Sequence, residues 1–189
     1  MSSHKRRTTS RTTSVGGSEV GSRIPSPGLS VGHALRQASV ELGAVSDTPR
    51  VEAETLLMHV LDASRSSLLT HPEHPLTPGD LDEYRALVED RALNVPLPYL
   101  TGTVEFYGLE LQVSREVLIP RPDTEVLVDL ALDYEPETIV DVGTGSGCIA
   151  VALAKHLPGA TVYAIDISPA AVAVGRRNAE RHGVERQIH

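Results

Sequence analysis

The chain has one cysteine, one phenylalanine and no tryptophan among its 189 residues. The lone Cys148 excludes an intramolecular disulfide and any cysteine-based zinc cluster. With aromatics at 3%, a core must be built from Leu, Val, Ile and Ala, which the 40% hydrophobic content allows. No apolar run approaches the roughly 18–20 residues that cross a bilayer, and no apolar segment near the start reads as a secretory signal. These absences predict a cytoplasmic chain of one domain or two small ones, with no membrane partner.

Positive charge is scarce as well, and it is unevenly placed. The net charge is −8, yet residues 1–30 carry Lys5, Arg6, Arg7, Arg11 and Arg23 against Glu19 alone, a net of +4 that leaves −12 on the other 159. An acidic body argues against direct nucleic-acid binding, which needs Lys and Arg to neutralise phosphates. The basic tail, residues 1–29, is rich in Ser, Thr and Gly and poor in large apolar residues, so disorder is expected. Electrostatic tethering or a transit role is the second reading, but the tail has no apolar face for it.

Beyond the tail, two periodicities divide the chain. Val31, Ala34, Leu35, Ala38 and Leu42 recur at helical spacing after Ser30, a candidate N-cap, and Gly43 ends the run. Pro49 opens a second helix to Leu61, and Thr77-Pro78 a third to Leu93. Residues 30–95 thus read as a small helical unit. His71 and His74 flank prolines with no third ligand nearby, which makes them loop histidines rather than metal ligands. From Pro96 the period shortens to 2: Val104, Phe106, Leu109, Leu111 and Val113 alternate around Tyr107-Gly108, the pattern of a hairpin. Pro120 and Pro122 hold the next segment extended, so 96–122 reads as a linker. Asp123 or Thr124 then caps a helix carrying Val126, Leu127 and Leu130.

The densest chemistry lies in residues 123–189. A strand from Thr138 to Val142 runs into glycine at every second position, Gly143, Gly145 and Gly147, and an apolar helix follows from Cys148. Such a turn lets a ligand lie against bare backbone at the carboxyl end of a strand. A second strand, Thr161 to Ile165, ends in Asp166, placed to accept the two hydroxyls of a ribose. The competing reading of Asp166 is a helix N-cap, since Ser168-Pro169 follow. No lysine follows Gly147, which rules out a phosphate-binding P-loop. The dinucleotide fingerprint needs a third glycine where Cys148 stands. Cys148 therefore weighs against a nicotinamide-binding oxidoreductase, which is kept as the alternative reading.

The loop instead reads Asp141-Val142-Gly143-Thr144-Gly145-Ser146-Gly147, which resembles the first motif of class I S-adenosylmethionine-dependent methyltransferases. Three upstream segments sharpen the resemblance: Pro98-Tyr99-Leu100-Thr101-Gly102, Glu105-Phe106-Tyr107-Gly108-Leu109, and Leu118 through Pro120-Arg121-Pro122-Asp123-Thr124-Glu125. In this order they are similar to the protein-(glutamine-N5) methyltransferases of the PrmC/HemK family, which act on peptide chain release factors.

The resemblance implies an α/β chain: a helical substrate-recognition domain, a hairpin linker, and the first half of a Rossmann-like methyltransferase domain. It implies S-adenosylmethionine as cofactor, held by Gly143, Thr144, Gly145, Ser146, Gly147 and Asp166. Asp141 orients the ammonium group or else braces the loop. Arg121, with Glu125, either anchors the cofactor cleft or belongs to a rigid linker. The implied reaction is methyl transfer to a glutamine amide in a Gly-Gly-Gln loop, gripped in the family by Asn-Pro-Pro-Tyr.

That motif does not occur in these 189 residues, so no catalytic residue is assigned, and the chain is expected to be C-terminally truncated and inactive alone. Strands three to seven are expected to be absent, leaving an open apolar edge. Asn178 reads as a helix-surface residue, and Tyr99 and Phe106 as interdomain packing. A non-catalytic release-factor-binding module is the third reading.

Overall fold

The computed structural model describes residues 29–189; the expected disordered tail, residues 1–29, lies outside them except for Leu29. Four helices form the first core: α1 (Val31–Leu42), α2 (Pro49–Leu61), α3 (Arg65–Thr70) and α4 (Pro78–Ala92). The predicted stripe of α1 is the buried one, with Val31, Ala34, Leu35, Ala38 and Leu42 all nearly inaccessible. It packs on Ala53, Leu56 and Leu57 of α2 and on Tyr84 and Val88 of α4. Tyr84 is buried, and its hydroxyl donates to the Ala53 carbonyl at 3.0 Å. Burial pushes its phenol well above the usual range.

Ser30 occupies the cap position of α1, but its side chain makes no capping bond. The turn at 71–76 replaces it: Val31 N–H donates to His74 O at 2.9 Å and Gly32 N–H to Pro72 O at 2.8 Å. Donors that a helix start leaves unpaired are thus met by backbone carbonyls. His71 and His74 are exposed, and no group of metal-ligating side chains occurs among the described residues. At α4, Thr77 and Asp80 form the full capping box. Two short helices were not predicted. Arg65–Thr70 is capped by Ser64, which accepts from Ser67 N–H at 3.2 Å. The other, α5 (Leu97–Thr101), lies in the supposed linker and packs Leu97 and Leu100 on the first core.

The hairpin follows as β1 (Thr103–Phe106) and β2 (Leu109–Gln112), with Phe106 opposite Leu109. Tyr107 and Gly108 both have positive φ, 52° and 71°, which is the two-residue turn that matches strand twist. A tyrosine there is strained, and three contacts hold it. Its N–H donates to Glu125 Oε1 at 2.7 Å, its hydroxyl to Asp129 at 2.7 Å, and its ring meets His156 edge-on at 5.1 Å. Glu125 is therefore the anchor of the hairpin tip. It opens α6 (Glu125–Asp133), which continues from a 3-10 turn over Pro122–Thr124 with no side-chain cap from Asp123 or Thr124.

The second core forms on a parallel pair, β3 (Thr138–Val142) and β4 (Thr161–Ile165), joined by α7 (Cys148–His156) and followed by α8 (Pro169–His182). Phe106 and Leu111 of the hairpin, Val128 of α6, Val151 and Leu153 of α7 and Val162 of β4 meet there. Tyr99 joins Val113, Val117 and Val174 in a third cluster, so it and Phe106 are packing residues as expected. The third strand is not wholly absent. Val162 N–H donates to Gln187 O at 2.8 Å, His189 N–H to Val162 O at 2.8 Å and Ala164 N–H to His189 O at 2.9 Å. The last residues thus begin a parallel ladder on the outer edge of β4. Val140, Val142, Tyr163 and Ile165, on the sheet face away from the second core, are 45–79% exposed.

One buried carboxylate is expected to make the helical core sensitive to acid. Glu54 is 2% exposed and accepts from Arg50 Nε at 2.6 Å and Arg65 Nε at 2.7 Å. Burial pushes its carboxyl up, but the Arg65 and Arg50 hydrogen bonds together outweigh it and leave the group below 4.5. A depressed folded-state value adds stability that is present above the unfolded value and lost as pH falls through the folded one. Thermal melts of the wild type are therefore expected to fall off below pH 4.5. Those of Glu54→Gln should start lower at neutral pH and decline less. Parallel melting curves for the two chains from pH 7 to pH 3 would refute this.

Candidate cofactor-binding site

Five hydrogen bonds fix the glycine loop to β3, to the end of β4 and to itself. Gly143 and Thr144 N–H both donate to Ile165 O, at 2.7 and 3.0 Å, which bends the chain over the end of β4. Gly145 N–H donates to Asp166 Oδ2 at 2.9 Å. Thr144 Oγ1 donates to Asp141 Oδ2 at 2.7 Å. Gly147 N–H donates to Thr144 O at 2.8 Å, closing the turn into α7.

Two glycines there do different work. Gly147 has φ 76°, and a Cβ on it would stand 3.1 Å from the Gly175 Cα of α8. Gly143 has φ 81°, and a Cβ on it would meet nothing within 4 Å. The first is a packing glycine; the second leaves room above the strand end for a ligand to lie against backbone. A cavity of about 340 Å³ lies beneath the loop, lined by Thr144, Gly147, Val151, Gly175, Ala179 and Ile188 among others. Its lining does not include Gly143, Gly145, Asp141 or Asp166, so the candidate ligand surface is the open one above.

The predicted residues separate accordingly. Thr144 and Ser146 are buried, 7% and 2% exposed, and the Thr144 hydroxyl bonds within the loop's own segment. The bond from Thr144 engages one oxygen of Asp141, Oδ2, and leaves Oδ1 without a side-chain partner among the described residues. Asp166 is not the helix N-cap: Ser168 is, accepting from Ala171 N–H at 3.2 Å. Asp166 takes one backbone N–H on each oxygen, Ser168 at 2.9 Å on Oδ1 and Gly145 on Oδ2. Those bonds, from Ser168 first and Gly145 second, hold its carboxyl below its ordinary 3.8. Each oxygen keeps a lone pair for a hydroxyl donor. Cys148 is half-buried, and burial raises its thiol, which makes it an inert filler. Arg121 is exposed, and its side chain forms no hydrogen bond or ion pair among the described residues; its carbonyl accepts from Thr124 N–H at 2.9 Å.

Asn178 overturns its sequence reading. It is fully buried. Its Oδ1 accepts from Gln112 N–H at 2.7 Å, and its Nδ2 donates to Gln112 O at 2.9 Å and Ser146 O at 2.8 Å. Spacing held the clue: Ala171, Val174 and Asn178 lie on one helical stripe. Polarity alone put Asn178 outside. Gly175, on the same side, was likewise missed.

Known proteins match along both halves. Residues 33–102 match the family described as the PrmC N-terminal domain. Residues 126–189 match that of the ribosomal protein L11 methyltransferase, PrmA. Curated relatives that extend across both parts decide between these names. The release factor glutamine methyltransferase of Geobacter sulfurreducens is 49% identical over 139 residues, 72% of this chain and 49% of its own length. That of Chlorobaculum tepidum is 44% identical over 151 residues, 75% and 51%, and that of Moorella thermoacetica 43% over 162, 84% and 56%.

The chain belongs to the release factor glutamine methyltransferase family. It spans about half the length of these relatives. The mixed α/β structure is consistent with the first half of a Rossmann-like methyltransferase preceded by a helical unit. No helix among the described residues is long and apolar enough to cross a membrane.

The two glycines give a direct comparison within this family member. Gly147→Ala adds both strain and the 3.1 Å contact, so a loss of ~1–3 kcal/mol is expected. Gly143→Ala adds only the strain of positive φ, ~1 kcal/mol. Chemical denaturation of the two variants checks the order; an equal or reversed loss would show that Gly175 does not crowd the loop.

Proposed function

We propose that the loop at 143–147 binds S-adenosylmethionine and that this chain supplies the donor side of methyl transfer to a glutamine side-chain amide of a peptide chain release factor. The observation that carries the reading is the pairing of an open backbone surface at Gly143 with a lowered Asp166 carboxylate that accepts from Gly145 N–H. Family membership supports it. When bound, the cofactor supplies a methyl group on a positively charged sulfur.

The residues present fit such a group. Asp166 accepts the ribose hydroxyls on its remaining lone pairs, in charge-assisted bonds. The backbone at Gly143 and Gly145 lies against the amino acid and ribose portions. Asp141, its orientation fixed by Thr144, presents negative charge toward the ammonium end. No phosphate is present in this cofactor, so the absence of a lysine after the loop is no obstacle. The acceptor amide is a weak nucleophile because its lone pair is delocalised, so placement and electrostatics carry the reaction. Residues that would place the acceptor, an Asn-Pro-Pro-Tyr segment, do not occur in this chain. The helical unit is assigned to recognition of the release factor.

S-adenosylhomocysteine is expected to raise the melting temperature of the 189-residue chain, by the equivalent of about 2.7 kcal/mol at a hundred times its Kd. NAD should not. Stabilisation by NAD alone would restore the oxidoreductase reading. Asp166→Asn should weaken S-adenosylhomocysteine roughly tenfold or more, through loss of an ionised acceptor. Unchanged affinity, read by calorimetry, would remove Asp166 from the site. With release factor and radiolabelled donor, this chain alone is expected to give no turnover.

A further inference from the structure

We infer that Asn178 is a positioning residue that couples the cofactor loop to the linker hairpin. The inference rests on the reading of residues 143–147 as the cofactor loop. The side chain of Asn178 is fully buried and spans two segments far apart in sequence. On one side it exchanges two hydrogen bonds with the backbone of Gln112, at 2.7 and 2.9 Å, as a neighbouring strand residue would. On the other it donates to Ser146 O at 2.8 Å. All three bonds come from one planar amide, so the end of β2 and the middle of the glycine loop are held to one rigid group.

Other contacts between α8 and β2 lie at the surface. Arg181 pairs with Glu110, His182 Nε2 donates to Glu110 O at 2.9 Å, and Arg177 Nε donates to the Gln112 side chain at 3.2 Å. These three reach only the hairpin. Asn178 alone among them also holds the loop. Gly147, on the loop side, allows the approach: a Cβ there would stand 3.1 Å from the Cα of Gly175, three residues before Asn178 on α8.

The hairpin in turn leads directly from α5, which packs on the helical core through Leu97 and Leu100. Val113 N–H donates to Gly102 O at 2.9 Å, so the base of the hairpin is closed onto the end of α5. A continuous path of named bonds thus runs from the helical unit through Gly102, Val113 and the adjacent Gln112 to Asn178 and Ser146. A buried amide whose partners are all backbone has no alternative partner to turn to. Displacement of the hairpin is therefore felt at the loop, and ordering of the loop at the hairpin.

Amide hydrogen exchange on the 189-residue chain tests this. The chains are wild type, Asn178→Ala and Leu153→Ala, the last opening the same core from α7 without touching Gln112 or Ser146. Without ligand, Asn178→Ala should speed exchange tenfold or more at the Gln112 amide and across 143–147, beyond any change in Leu153→Ala. With S-adenosylhomocysteine, wild type and Leu153→Ala should gain protection at both the loop and residues 109–113. Asn178→Ala should gain it at the loop only, with weaker binding.

Ligand protection of 109–113 that persists in Asn178→Ala, or is lost equally in Leu153→Ala, overturns the inference. If the ligand protects nothing in wild type, the cofactor reading fails. The coupling is then decided by the ligand-free comparison, where unchanged exchange at Gln112 rejects it. Asn178→Ser, whose hydroxyl is too short to reach both segments, replaces the alanine variant if that chain does not fold, with the same outcomes expected.

Discussion

The approach of α8 to the glycine loop, with no side chain between them, is the constraint on which the rest of the second unit depends. Gly147 and Gly175 meet backbone to backbone, at a separation that a single Cβ would bring to 3.1 Å. Because the helix comes that close, Asn178, one turn further along α8, can reach the Ser146 carbonyl. Ser168, the N-cap of α8, follows Asp166 by two residues. The Asp166 carboxylate can then take N–H groups from both the loop and the turn. An alanine at Gly147 would press on the backbone of α8, and those contacts would shift together. Close packing turns one geometric choice into several dependent ones.

Much of this architecture was legible as periodicity and punctuation. The stripe of α1, the proline-led starts of α2 and α4, the Tyr107-Gly108 turn and the strand–loop–helix order at 138–157 are all local signals, and local signals are what sequence patterns carry. What was not legible depends on distant partners. Ser30 looks like a capping residue but yields its role to His74 and Pro72 carbonyls, because a loop 40 residues away closes on the helix start. Glu125 looks like part of a proline segment and serves the hairpin tip instead. The Arg65–Thr70 and Leu97–Thr101 helices are too short for periodicity to declare them.

Asn178 shows the same limit at the site. A polar residue on a predicted helix is placed outside by default, since burying an amide is costly unless its bonds are met. Here all of them are met by backbone groups of two other segments, and no buried side-chain polar atom among the described residues lacks a partner. The motif residues Gly143, Gly145 and Asp166 were readable because their spacing is set within one strand–loop–helix–strand unit. The group that holds that unit to the hairpin was not, because its partners come from 32 and 66 residues away.

The two faces of the short sheet differ in a way that bears on the division of labour within the site. One face is covered by α7 and by the hairpin core, where Val162 is fully buried. The other carries Val140, Val142, Tyr163 and Ile165 with half or more of most side chains exposed. Parallel strands are ordinarily covered on both faces, because their crossovers place helices on each. The loop residues nevertheless need only the covered face: the bonds at Gly143, Gly145, Asp141 and Asp166 are all made among β3, β4, the start of α8 and the loops between them. The loop can therefore hold its shape from within these residues, whatever lies against the other face.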